Sequence, residues 1–239
     1  MRIAVSGGHG RLGTHVVRHL RQQGHVVEAP PRELLDWTQP AAVHRTTGWK
    51  DRVLALASWT DVPGAQLDPA GCVRDTVGTV EATLRAASRS AAVVHYVSTD
   101  YVLPLLHGQG VAGVYAAAKL VAEQRVLAAS GGRHRVARVA FVTPEQAADW
   151  SWVDGISVAN RCWVDELVPQ LASWVLSEGG PQLVHLGGDA CTLAQLLRRR
   201  YPAHPALQRV VTDHDELARL SINPRPQDTR WPRPALVCD

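Results

Sequence analysis

Lysine is nearly absent from this 239-residue chain: Lys50 and Lys119 stand against 23 arginines. The bias fits a GC-rich genome and makes each lysine a position to inspect. Cysteine is sparse too. Cys72, Cys162, Cys191 and Cys238 form no CxxC pair, and a chain of this length needs no disulfide staples, so a reducing, cytoplasmic compartment is expected. Eleven histidines are scattered without HExxH or similar spacing, so no metal site is expected. No apolar run approaches the roughly 18 residues needed to cross a membrane. The opening MRIAVSGGHG reads as a strand entering a glycine loop and not as a signal peptide. The net charge of +3 is small and spread along the chain. Its densest basic run, Arg198-Arg199-Arg200, reads as the solvated end of a helix. No nucleic-acid recognition motif accompanies it, and neither nucleic acid nor membrane is expected as a partner. There is no internal repeat and no low-complexity linker.

With 46% hydrophobic and 20% charged residues, the composition is that of an ordinary globular protein, one α/β domain or a domain with a small appendage. Strands are expected at Arg2–Ser6, His25–Ala29, Val53–Ala57, Ala92–Val97, Arg135–Val142 and Leu183–Leu186. Helices are expected from Leu12 to Gly24, over Val73–Ser88, Val114–Ala129, Glu166–Leu176 and Thr192–Tyr201. This alternation predicts a doubly wound parallel sheet with ligands at the carboxyl ends of its strands. After Pro144 the pattern weakens. The expected division is a dinucleotide-binding core over 1–144 and a small substrate-binding lobe over 145–239, interleaved in one compact unit. The proline-bearing tail from Ile222 is expected to run extended on the surface.

Gly7, Gly10 and Gly13 form a Gly-x-x-Gly-x-x-Gly loop between a strand and an amphipathic helix. The first glycine permits the sharp turn, the second lets backbone approach a pyrophosphate, and the third lets helix pack on sheet. The helix N-terminus adds free N–H groups and a positive dipole. His9, Arg11 and Leu12 complete the loop. The second strand runs through Val27-Glu28-Ala29 into Pro30-Pro31-Arg32. Arg32 or Arg11 could pair with a 2′-phosphate, which favours NADPH. Glu28, in a shifted register, could instead hold a ribose 2′-hydroxyl, which keeps NADH open. Tyr115 and Lys119 lie four apart and share a helix face. An ammonium beside a phenol favours the phenolate, and such a tyrosine can donate a proton to a carbonyl oxygen. A hydroxyl from Thr99 or Ser98 could polarise that carbonyl.

The segment Val94-His95-Tyr96-Val97-Ser98-Thr99-Asp100-Tyr101-Val102, followed by Tyr115-x-x-x-Lys119-x-x-x-Glu123, resembles the dTDP-4-dehydrorhamnose reductase family of extended short-chain dehydrogenases. Leu35-Asp36-Trp37-Thr38 and Ala57-Ser58-Trp59-Thr60 are similar to further family segments, as are Val164–Leu167, His185–Gly188 and Arg225–Thr229. The resemblance implies a Rossmann-type fold and NADPH- or NADH-dependent reduction of a nucleotide-linked 4-keto-6-deoxysugar. It implies catalytic roles for Thr99, Tyr115 and Lys119. Asp36 and Trp37 would face adenine, Ala57 and Ser58 would border the cofactor, and Tyr101 and Phe141 would border the substrate. The chain departs from the family in a shortened segment before Tyr115, in Asp75 where a helix Asn is usual, and in an abbreviated substrate region. Arg161, Arg225 and Arg230 are candidate phosphate anchors, each equally readable as surface. Two other readings stay open: a reductase of a small specialised-metabolite ketone or imine, and a non-catalytic dinucleotide-binding regulatory subunit. A homodimer is expected by fold-level analogy alone.

Overall fold

The computed structural model describes residues 1–48, 50–107, 113–220 and 228–229. Short apolar runs make one parallel sheet. Its strands are β1 (Arg2–Ser6), β2 (Val26–Glu28), β3 (Arg52–Ala55), β4 (Val93–Thr99), β5 (Arg135–Val139) and the edge strand Leu183–Leu186. Their spatial order is Leu183–Leu186, β5, β4, β3, β1, β2. The strands read as near-continuous hydrophobic runs because both faces are covered. Ile3, Val5, Leu54, Val97 and Val139 face one layer, while Ala4, Val53, Ala55, Val94 and Tyr96 face the other. From β1 the chain goes outward to β2, then crosses back to β3. That reversal opens a crevice between β1 and β3 at their carboxyl ends.

The helix α1 (Gly13–Gln22) buries Val16, Val17 and Leu20, the stripe its sequence spacing predicts. It shares its layer with the helix Val164–Leu176, which buries Leu167, Val168, Leu171 and Val175. The opposite layer holds α2 (Pro40–Thr47), the helix Thr79–Ala87 and the helix Val114–Ala128. Proline opens α2, where its missing N–H leaves no hydrogen bond unmade. A third, smaller core collects Val142, Ala147, Val153, Trp163, Leu196 and Leu197. Residues beyond 144 therefore build this small core and also supply a helix and a strand to the main sheet.

Several element boundaries differ from the sequence reading, three of them for a visible physical reason. Strand β3 stops at Ala55 because Ser6 Oγ accepts the next two amides, Leu56 N and Ala57 N, at 3.0 Å each. The run Arg135–Val142 divides at Ala140: Arg135–Val139 stays in the sheet, while Phe141–Val142 pairs with Cys162–Trp163. The single helix expected over Val73–Ser88 contains a π-helical turn at Arg74–Gly78. There the Thr79 hydroxyl donates to the Asp75 carbonyl (2.9 Å), a side-chain bond that competes with regular helical pairing. Of the tail from Ile222, only Asp228–Thr229 is described, as a strand beside Val158–Ala159. Arg225 and Arg230 lie outside the described residues. Among the described residues no helix is long and apolar enough to cross a membrane.

Candidate active site

A cleft of about 580 Å³ opens at the carboxyl ends of the strands. Gly7, Gly10, Arg11, Leu12 and Gly13 line one side. Thr99, Tyr101, Tyr115 and Lys119 line the other, with Phe141 beyond them. The sheet thus gathers twelve of the sequence-named candidates into one cavity, Ser98 and Arg161 among them.

The glycine loop is as narrow as its sequence demands. Gly7 takes φ +66°, and a Cβ there would lie 2.8 Å from Ala57 N. A Cβ on Gly13 would lie 2.1 Å from the Gly7 carbonyl oxygen. No side chain caps α1 at Leu12, so its first turn offers amide donors to the cleft. This bare, tightly wound turn fits a pyrophosphate.

At the other wall, β4 ends in Thr99. Its hydroxyl accepts from Tyr101 N (3.3 Å) and donates to Asp100 Oδ1 (3.2 Å). Tyr115 lies in the first turn of the helix Val114–Ala128, and its ring meets Tyr101 edge to face with centroids 5.8 Å apart. One turn on, Lys119 Nζ lies 5.9 Å from the Tyr115 ring centre and 5.2 Å from that of Tyr96, and donates to the Val97 carbonyl at 3.4 Å. Burial pulls Lys119 down from 10.5 to about 8, against the opposing charge of Glu123. One further turn on, Glu123 is gripped by Arg138 of β5 through contacts of 2.7, 3.0 and 3.2 Å. Tyr115, Lys119 and Glu123 therefore share one helix face, pinned to the sheet at its inner end.

The remaining predicted residues lie outside the cleft lining. His9 Nε2 donates to the Ala29 carbonyl at 3.0 Å. Arg32 pairs with Asp75 at 3.3 Å. Asp36 accepts from the amide and hydroxyl of Thr38, which hold its carboxyl below the usual range. Trp37 is buried in the core beside α2. Ala57 N binds Ser6, and the Ser58 hydroxyl lies 3.1 Å from that of Thr76. Glu28 ends β2 and is paired with Lys50.

Sequence reasoning missed the outer half of the cleft. Trp150, Trp152, Asp154 and Leu193 line it, beside Arg161, one of the sequence-named phosphate-anchor candidates, which is buried at 2% exposure. The pair Trp150-Ser151-Trp152, in an otherwise polar stretch, was the available signal. Arg198–Arg200 form the exposed last turn of the helix Leu193–Arg200, as read, and Arg200 also pairs with Asp165 at 2.6 Å and stacks over Trp163.

The dTDP-4-dehydrorhamnose reductase of Mycobacterium tuberculosis is 33% identical over 140 residues, 54% of this chain and 46% of that protein. The enzyme of the same name from Mycolicibacterium smegmatis is 30% identical over 151 residues, 59% of this chain and 46% of that protein. The aligned part is about half the length of these relatives. Among solved structures, the Bacillus anthracis dTDP-4-dehydrorhamnose reductase in complex with NADP superposes with a TM-score of 0.81 at 16% identity, over 97% of this chain and 90% of that one. The Clostridium acetobutylicum counterpart gives 0.79 at 17% identity, over 97% and 90%. These two likenesses establish the fold. Residues 1–152, well over half of the chain, match the RmlD substrate binding domain family, and the chain belongs to that family.

Proposed function

We propose that this chain is an NADPH-dependent carbonyl reductase of the short-chain dehydrogenase type, acting on a nucleotide-linked 4-keto-6-deoxysugar. One observation carries the reading: Tyr115 and Lys119, one helical turn apart, share a cleft with a glycine loop that fits pyrophosphate. The names of the relatives supply the substrate class. The buried Arg161, in the outer half of the cleft, is a cation of the kind a diphosphate-linked sugar requires. In this reading residues 1–144 form the dinucleotide-binding core. Residues 145–239 supply the interleaved lobe, with Trp150 and Trp152 against the substrate.

The loop Gly7–Gly13 and the first turn of α1 would hold the pyrophosphate, with Tyr115 and Lys119 at the nicotinamide end. Bound there, NADPH supplies a hydride for the carbonyl carbon. Tyr115 donates its phenolic proton to the carbonyl oxygen as negative charge develops on it. The Lys119 ammonium stabilises the phenolate left behind. Thr99, held by Asp100 in the resting arrangement, turns its hydroxyl proton toward the same oxygen.

NADPH consumption with a dTDP-4-keto-6-deoxyhexose tests this, with Tyr115→Phe alongside. Turnover that the substitution abolishes, with NADPH binding retained, is the expected result. Saturable NADPH binding with no turnover would sink the sugar-nucleotide substrate.

A further inference from the structure

The chain's other lysine is not in the cleft. Lys50 precedes β3, and its side chain is completely buried. Its Nζ lies 2.5 Å from Glu28 Oε2, while Glu28 keeps 42% of its own side chain exposed. A buried ammonium persists in a fold only when paired, and Glu28 is that partner.

Glu28 is the last residue of β2, and the next residue is tied to the glycine loop. The Ala29 carbonyl accepts from His9, and a Cβ on Gly8 would lie 2.6 Å from the Ala29 Cβ. Glu28 thus ends its strand beside the loop, where doubly wound folds carry the acidic residue that binds a ribose 2′-hydroxyl. A free carboxylate at that place accepts from a hydroxyl and repels a phosphate dianion. Here a buried cation engages it.

We infer that Lys50 sets the dinucleotide preference: by engaging Glu28 from beneath, it removes the charge that would exclude a 2′-phosphate, so the site takes NADPH over NADH. This rests on the dinucleotide reading above. Two cations are placed to meet the phosphate. Arg11 lines the cleft. Arg32 follows β2 and is 75% exposed, held to Asp75 by one 3.3 Å contact that an incoming dianion can replace.

Binding titrations with NADPH and NADH, without turnover, test the inference. Wild type should bind NADPH more tightly. Lys50→Met should raise the NADPH Kd about tenfold or more and leave the NADH Kd within about threefold, a difference of over 1 kcal/mol between the two ligands. Adding Glu28→Gln to Lys50→Met should restore NADPH binding to within about threefold of wild type, since the uncompensated carboxylate is gone. Glu28→Asp, which loosens the pair while keeping a carboxylate beside the buried ammonium, covers the case of a Lys50→Met chain that does not fold, and should also lower the preference for NADPH. Equal loss of both ligands in Lys50→Met, or a preference unchanged in every variant, would overturn the role of Lys50 while leaving dinucleotide binding intact. Wild type that binds neither ligand would overturn the dinucleotide reading itself, and this inference with it.

Discussion

Arg138 grips both carboxylate oxygens of Glu123, and the two side chains are 8% and 1% exposed. The pair fastens the helix carrying Tyr115 and Lys119 to β5.

Removing one partner strands a buried charge. Glu123→Ala should lower unfolding stability by about 3–5 kcal/mol, read from urea denaturation. Replacing both partners together, as Glu123→Leu with Arg138→Met, should recover most of that loss. A single variant as stable as wild type would show that the pair does not anchor the helix.

Gly13→Ala places a methyl group 2.1 Å from the Gly7 carbonyl, and rigid backbone on both sides cannot yield cheaply. Dinucleotide affinity should fall by about tenfold or more, a little over 1.4 kcal/mol. Circular dichroism should still report the α/β fold. Wild-type affinity in this variant would mean that the loop is not the phosphate cradle.

With only two lysines, reductive methylation with a 13C label gives a spectrum in which Lys119→Met identifies its own resonance. The Lys119 signal should titrate near 8 rather than near 10.5. The sign of the linked stability follows. Between those values the unfolded chain holds the proton and the folded chain releases it, so unfolding free energy should rise with pH across that window. The rise should be smaller in Lys119→Met. A Lys119 resonance titrating near 10.5 would remove the basis for both effects.

The glycine loop and the Tyr115–Lys119 pair were legible because their chemistry sits in contiguous sequence. Spacing alone places Gly7, Gly10 and Gly13 in one turn and Tyr115 above Lys119. The sheet was legible for a related reason: a strand buried on both faces must be apolar throughout. The lobe was not. Its strands, such as Val153–Asp154 and Val210–Val211, are two residues long, too short to show a period. That is why Trp150 and Trp152 entered the cleft unannounced, while Arg161 stayed open between phosphate anchor and surface. Glu28 and Lys50 each stood out on composition or position. Their meeting depends on how α2 returns the chain under β2, which no local pattern encodes. The π turn at Arg74–Gly78 escaped because its apolar positions still match an α-helical stripe.

The edge strand Leu183–Leu186 carries one further consequence. It pairs with β5, but the chain between them first builds parts of the small lobe and the helix Val164–Leu176 that packs beside α1. During synthesis β5 therefore stays an open, hydrogen-bond-hungry border until the ribosome has passed residue 186. The lobe is in this sense a delay written into the chain. A protein cut after the crevice-forming strands would keep its glycine loop and leave the wholly buried β5 as the border of its sheet, in place of the half-buried Leu183–Leu186.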